Sequence, residues 1–241
     1  MSIAQNVQNS ILAIPAGQIF GYHALPDYAC SPGAVIKAIS RLIADRRLIR
    51  FSKGRFYVPK KGLIGLCKPS DGEIVRTMLY KDGRLRGYVT GLSLYNRLGL
   101  TDQVPKTITL AVNGGRQVKE FGTIRIKTVV ARVPIKEQNV KLLQYLDVLK
   151  DIRNIPDSDV DQSLETMCRK ISKLSDGERK HLVTLAGEYY NPRTRVLVGL
   201  LFSRLELPIP ENLALSLNPV TTYTVGLDAE KWPAARQWNV R

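Results

Sequence analysis

Residues 31–59 read SPGAVIKAISRLIADRRLIRFSKGRFYVP, and this stretch decides the predicted fold of the N-terminal part of the chain. Ser31 is a suitable N-cap, and Pro32 suits the first helical position. Apolar residues then recur with the spacing of one helix face, at Val35, Ile36, Ile39, Leu42 and Ile43. The opposite face is predicted to carry Ala34, Lys37, Ala38 and Arg41. The stretch therefore predicts a helix with one apolar and one basic face.

The second half of the stretch has the pattern of a β-hairpin. Residues 48–51 and 55–58 read as two short strands, which residues 52–54 connect. Gly54 supplies the positive φ that such a tight connection needs, and Pro59 ends the pairing. The hairpin is basic, as the helix before it is.

The residues upstream complete a recognisable order of elements. Residues 3–14 have the apolar periodicity of a helix that ends at Pro15, and a short helix is predicted around residues 22–25. Helix, short helix, basic helix and basic hairpin follow one another in a winged helix-turn-helix. In that geometry the third helix enters the major groove of DNA and the hairpin lies along the phosphates.

This geometry predicts that seven polar residues of the stretch bind DNA. The predicted DNA-binding residues are Ser31, Lys37, Arg41, Arg50, Ser52, Lys53 and Arg55. The first three read base edges or fix the register, and the basic residues of the hairpin neutralise phosphates. Two alternatives remain open. The charges form only a solvated face, or the winged helix binds a protein partner without specific DNA binding.

The distribution of charge favours a polyanionic partner for the N-terminal half. The chain has 241 residues and a net charge of +15. Residues 1–61 carry a net charge of +7, residues 62–135 carry +7, and residues 136–241 carry +1. We therefore expect a DNA-binding domain over 1–61, a mixed helix and antiparallel-sheet segment over 62–135, and a mainly helical segment over 136–241, with 62–241 forming one domain.

A motif in the middle of the chain resembles that of a known family. Residues 88–105 read YVTGLSLYNRLGLTDQVP. This stretch is similar to the YVTG-x-x-A-x-N-x-LGLT-x-Q-x-P signature of the AbiEi-like antitoxin and transcriptional-regulator family of type IV toxin–antitoxin systems. Leu94 departs from the signature, in which alanine is more frequent. Residues 38–42 (AISRL), and the basic hairpin that closes in FYVP at residues 56–59, resemble that family as well.

The resemblance implies a function that composition alone does not. Members are cytoplasmic bacterial proteins whose winged helix binds inverted repeats in the double-stranded DNA of their own promoter, with possible self-association on the DNA. A second portion opposes a cognate nucleotidyltransferase-like toxin. The resemblance therefore implies an autoregulator and antitoxin, with the antitoxin part over residues 62–241.

The remaining sequence predicts an α+β fold. Residues 107–112 alternate as a strand and are followed by two further strands up to Val130 in an antiparallel meander, with Ile124 and Ile126 inward and Arg125, Lys127 and Lys119 outward. Capping-box patterns at Ser70 and Ser175 begin helices. The tail contains Trp232 and Trp238, which dock either onto the body of the protein or onto a partner.

Catalytic and cofactor motifs are missing from the sequence. The chain has two histidines and three scattered cysteines, and it contains no HExxH, CxxC, GxGxxG, Walker A or GxSxG pattern. We therefore expect no enzyme activity, no metal and no cofactor. The longest apolar run, Val196–Phe202, is too short to span a bilayer, so we expect no membrane partner. The first basic residue is Lys37, which disfavours a secretory signal, and the three scattered cysteines favour a reduced cytoplasm.

Overall fold

The computed structural model describes residues 2–63, 65–81, 83–122 and 124–241. The chain forms two compact units, an N-terminal unit, Met1–Arg84, and a C-terminal unit, Leu85–Arg241. The charge pattern places its first boundary earlier in the chain, after residue 61. Both units combine helices with small sheets that contain antiparallel strand pairs, consistent with the expected α+β class.

The N-terminal unit contains three helices and a set of short strands within its described residues. The helices are α1 (Ile3–Leu12), α2 (Pro32–Ala44) and α3 (Asp71–Leu79), with single turns of 3-10 helix at Tyr22–Ala24 and Pro26–Tyr28. The strands are β1 (Ile19–Gly21), β2 (Ile49–Ser52), β3 (Arg55–Tyr57), β4 (Lys60–Gly62), β5 (Gly65–Cys67) and β6 (Tyr80–Lys81). A further short strand, β7 (Arg84–Leu85), spans the division between the units.

A three-stranded antiparallel sheet of order β1-β3-β2 organises this unit. The predicted hairpin is present as β2 and β3, and Gly54 in its turn has a φ of +69°. Phe56 of β3 is completely buried, and its ring lies 6.2 Å from that of Phe20 and 5.1 Å from that of Tyr22. The buried apolar residues of α1 and α2 belong to the same core, so burial of one face of each helix joins them to the sheet.

Glu73 differs from the predicted capping box at the start of α3. Ser70 accepts a hydrogen bond from the backbone N–H of Glu73, as the box requires. The Glu73 carboxylate, however, accepts from the backbone N–H of Ile19 at 2.7 Å and pairs with Arg76 at 2.7 Å. A charged donor and a strand-edge N–H therefore compete successfully with the N-cap amide, and Glu73 ties α3 to β1.

The C-terminal unit is built from one sheet and a group of helices. The strands are β8 (Gly87–Thr90), β9 (Thr107–Val112), β10 (Gln117–Phe121) and β11 (Ile124–Val130). The helices are α4 (Leu92–Arg97), α5 (Glu137–Asp151), α6 (Val160–Ile171), α7 (Asp176–Tyr189), α8 (Pro192–Arg204) and α9 (Glu211–Leu215), with 3-10 turns at Ile152–Asn154 and Pro233–Ala235. The capping box at Ser175 and Glu178 is complete, as predicted.

The sheet is not the predicted antiparallel meander. Its order is β10-β11-β9-β8, and β11 runs parallel to β9. Strand β11 alternates buried and exposed residues, whereas β10 is almost wholly exposed, so the strand with an apolar face lies inside and the polar strand forms the edge. Ile124 and Ile126 are buried as predicted. Lys119 is paired with Ile126 and therefore shares the face of Ile126, not that of Lys127.

The tryptophan-containing tail docks onto its own unit. Trp232 and Trp238 are 2% and 6% exposed. The indole N–H of Trp232 donates to the Asp161 carboxylate at 3.0 Å, and that of Trp238 donates to Ser203 at 2.9 Å. The ring of Trp238 occupies the place that a side chain at Gly199 would take. Of the two alternatives for this tail, the structure favours docking onto the body.

Candidate nucleic-acid interface

Helix α2 presents a polar face on the surface of the N-terminal unit. Its buried stripe consists of Val35, Ala38, Ile39 and Leu42. Lys37 and Arg41 are exposed, as the sequence predicts, and they lie one helical turn apart.

Two residues of α2 lie on the face opposite to the predicted one. Ala38 is buried, whereas Ile36 is 40% exposed. The elements that pack against α2 cover Ala38 rather than Ile36, so Ala38 belongs to the buried stripe and Ile36 to the exposed surface of the helix. Ser40, which the prediction leaves out, is also exposed there, and its hydroxyl donates to the Ile36 carbonyl oxygen at 2.9 Å.

Ser31 precedes α2 but makes no capping hydrogen bond with its side chain. Its ψ is 68°, whereas Ser70 and Ser175, which do cap, have ψ values of 156° and 162°. This ψ turns the hydroxyl away from the first amides of the helix. The Ser31 backbone N–H donates to the Asp27 carbonyl oxygen at 2.9 Å, which ties the start of α2 to the preceding 3-10 turn.

The hairpin places three of the four predicted residues on the surface. Arg50, Ser52 and Lys53 are exposed, at the end of β2 and in the turn that follows. A register shift between Arg50 and Ser52 interrupts the regular pairing with β3. The buried Phe56 side chain attaches the hairpin to the core of the N-terminal unit and so holds the exposed turn in place.

Arg55 has a different environment from the other basic residues of the hairpin. It is half-buried, and its Nη1 donates to the carbonyl oxygen of Thr77 in α3 at 3.2 Å. A cation near the last carbonyl groups of a helix is electrostatically favourable. The sequence contains no signal for this contact, because Thr77 lies 22 positions further along the chain.

The electrostatic character of this surface is positive. Residues 1–84 contain thirteen lysines and arginines against five acidic residues. Within the described part of the chain, Lys37, Arg41, Arg50 and Lys53 form no ion pair with a carboxylate. Their charges are therefore available to a polyanion.

Residues 88–91, which read YVTG, make hydrogen bonds inside the C-terminal unit. Tyr88 and Thr90 of β8 donate to Oδ2 of the buried Asp147, at 3.1 and 2.7 Å. Tyr190 donates to Oδ1 of the same carboxylate at 3.0 Å. Burial and the adjacent Asp147 charge raise the pKa of Tyr88 and of Tyr190 far above the usual value, so both phenols remain donors. This stretch thus fastens the sheet to α5.

The residues that the structure describes contain no group of three or more His, Cys, Asp and Glu side chains arranged to hold a metal ion. No helix in the same residues is long and apolar enough to cross a membrane. His23 is exposed, and its ring lies edge-on to that of Tyr28 at 5.3 Å.

Comparison with known proteins identifies a family. The model of DUF6088, a family of unknown function, matches residues 6–176, more than two thirds of the chain. The match begins within α1 and ends at the first residue of α7. A search of curated proteins found no match.

Proposed function

We propose that this chain, which belongs to the DUF6088 family, uses its N-terminal unit as a winged helix-turn-helix that binds double-stranded DNA. Helix α2 is the recognition helix and the β2–β3 hairpin is the wing. The observation that carries the proposal is the pair Lys37 and Arg41, exposed on the outer face of α2 and without an acidic partner among the described residues. Lysine and arginine on such a face reach guanine O6 and N7 in the major groove.

The test replaces both cations of the recognition helix. Each base contact contributes about 1–3 kcal/mol, so Lys37→Ala with Arg41→Ala should weaken binding to DNA from upstream of the protein's own gene by about 30-fold or more. The matched control is Lys60→Ala with Lys61→Ala, because these exposed β4 residues change the net charge equally. Fluorescence anisotropy of a labelled duplex measures both. Equal affinities for the two double variants would refute the assignment of α2.

The wing is tested separately through salt dependence. Neutralising Arg50 and Lys53 with glutamine should weaken binding to the upstream DNA and to a random duplex alike, because phosphates carry no sequence information. The slope of log affinity against log salt should fall by about 0.9 for each lost phosphate contact. An unchanged slope would mean that the hairpin does not touch the duplex.

A second candidate function is protein binding by the same unit without specific DNA recognition. The observation in its favour is Ile36, an apolar side chain that is 40% exposed between polar residues of α2. The affinity for the upstream duplex, compared with the affinity for a random duplex, distinguishes the two functions. A wild-type protein that binds the upstream duplex no better than a random duplex favours the protein-binding function.

The larger proposal is that the protein acts as a transcriptional autoregulator and as the antitoxin of a nucleotidyltransferase-like toxin. It is supported by the resemblance of residues 88–105, and DNA binding by α2 would account for autoregulation. We expect full-length Lys37→Ala, Arg41→Ala protein to lose promoter binding and still to protect cells that express the neighbouring gene. Growth after co-expression measures protection. No protection by wild-type protein would exclude the antitoxin role.

A further inference from the structure

An open cleft of 580 Å³ lies beside the turn of the β2–β3 hairpin, formed wholly by residues of the N-terminal unit. Its lining residues come from β1 and the 3-10 turn that follows it, from the hairpin turn with β3, and from the end of α3 with β6. Four cationic side chains line it, Lys53, Arg55, Arg76 and Lys81. None of the described residues that line it is acidic. The cleft is therefore a concave positive surface next to the proposed wing.

The four cations differ in whether a carboxylate of the protein already neutralises their charge. Arg76 pairs with Glu73 at 2.7 Å and belongs to the framework that joins α3 to β1. Lys53 and Lys81 are exposed and form no ion pair within the described residues. The positive charges of these two lysines are therefore free to interact with a ligand.

Arg55 is positioned in advance for an anion. The hydrogen bond from its Nη1 to the Thr77 carbonyl oxygen holds the guanidinium, and its other N–H groups have no acceptor among the described residues, so they remain as donors. A guanidinium that is already oriented loses less conformational entropy when it binds a phosphate, and its planar fork matches two phosphate oxygens. The same contact explains why an arginine of the hairpin lies inside the cleft while Arg50 lies on the surface.

We propose that this cleft binds a phosphate of the DNA backbone through Arg55 and Lys81, so that the DNA contact continues from the wing to α3 and β6. The inference rests on the proposed DNA binding by α2 and the hairpin. Lys53 lies both in the hairpin turn and at the edge of the cleft, so one continuous backbone reaches both. A site for a free nucleotide would bury most of the ligand, whereas this cleft is open to solvent.

The test compares Lys81→Gln with Lys61→Gln in the full-length protein, since both lysines are exposed on short strands of the same unit and only Lys81 lines the cleft. Loss of one phosphate contact should reduce the slope of log affinity against log salt by about 0.9 for Lys81→Gln. Adding Arg55→Gln should about double that reduction. Lys61→Gln should leave the slope unchanged, and thermal unfolding checks that each variant is folded.

The outcomes separate this inference from the proposed function. A smaller slope for the cleft variants alone supports the phosphate site. If the cleft variants and Lys61→Gln have the same slope as the wild type, while Lys37→Ala with Arg41→Ala weakens binding to the upstream duplex as expected, the cleft site is refuted and the recognition helix stands. A wild-type protein that binds neither the upstream nor the random duplex refutes both. Displacement of the duplex by a free mononucleotide, with no slope change in the cleft variants, refutes DNA as the occupant.

Discussion

Replacing Asp147 with asparagine should destabilise the C-terminal unit, because three hydroxyl groups donate to this one buried carboxylate. The Asp147 carboxylate accepts hydrogen bonds from Tyr88, Thr90 and Tyr190, and Lys150 lies 3.6 Å from it. Asparagine preserves the shape, but it removes the charge and one acceptor atom. The effect therefore measures the combined loss of the negative charge and of one acceptor atom.

The expected magnitude follows from these contacts. A hydrogen bond to a charged group contributes about 1.5–3 kcal/mol, and a neutral one about 0.5–1.5 kcal/mol, so each of the three hydroxyl groups loses about 1 kcal/mol. Tyr190 recovers part of its loss, because its hydroxyl also lies 3.3 Å from the Leu143 carbonyl oxygen. We expect Asp147→Asn to lower the free energy of unfolding by about 2–3 kcal/mol.

Tryptophan fluorescence during urea unfolding is the appropriate assay. Both tryptophans of the chain, at positions 232 and 238, belong to the C-terminal unit, so the signal follows that unit. The matched control is Asp151→Asn, because this carboxylate is 34% exposed and, in the part of the chain that the structure describes, accepts from a single tyrosine, Tyr95, at 2.9 Å. We expect the control to lose about 1 kcal/mol or less. Equal losses in the two variants would refute the role assigned to Asp147.

Three further predictions concern the C-terminal unit and the thiols. Gly199→Ala should destabilise the protein by about 1–3 kcal/mol through overpacking, since a Cβ there would lie no more than 2.6 Å from three ring carbons of Trp238. A Cβ at Gly187 in α7 would meet no neighbour within 4 Å, so Gly187→Ala should stabilise the protein by about 0.4–1 kcal/mol by reducing the entropy of the unfolded chain. Urea unfolding measures the free energy of unfolding of both glycine variants. Burial raises the pKa of Cys168 to about 11, so Ellman's reagent at pH 8 should titrate the exposed Cys30 and Cys67 at once and Cys168 only after unfolding. Three rapidly reacting thiols in the native protein would contradict that burial. Ser175→Ala should lower the thermal midpoint by an amount equivalent to about 1 kcal/mol, because it removes the α7 capping box, and an unchanged midpoint would show that the box contributes nothing.

The local signals of the N-terminal stretch were sufficient for α2 and for the hairpin. The proline at the start of α2, its apolar periodicity and the positive φ of Gly54 all act within a few residues. The same signals did not predict that Ala38 is buried and that Ile36 is exposed. Both lie at the border of the apolar stripe, and only the packing of neighbouring elements against α2 decides which of them is covered.

The sheet of the C-terminal unit shows a second limit of local patterns. Alternation predicted which β11 residues are buried, because that pattern belongs to the strand itself. The order of the strands depends on which strands have an apolar face to bury. Strand β11 has such a face and lies between β9 and β10, whereas the exposed β10 lies at the edge. A meander is the simplest connection of three successive strands, but the polar β10 stabilises the sheet only from its edge.

By itself, the sequence determined helices α1, α2, α3 and α7, the β2–β3 hairpin and the basic character of the first half. These properties follow from backbone preferences and from charges that each residue carries into any fold. Only the tertiary structure decided that Arg55 is held by Thr77, that Tyr88 meets Asp147 and that Trp238 packs over Gly199. Each of these contacts joins residues more than twenty positions apart. Such contacts form only where burial of the two cores brings distant segments together, and no local preference of the chain encodes them.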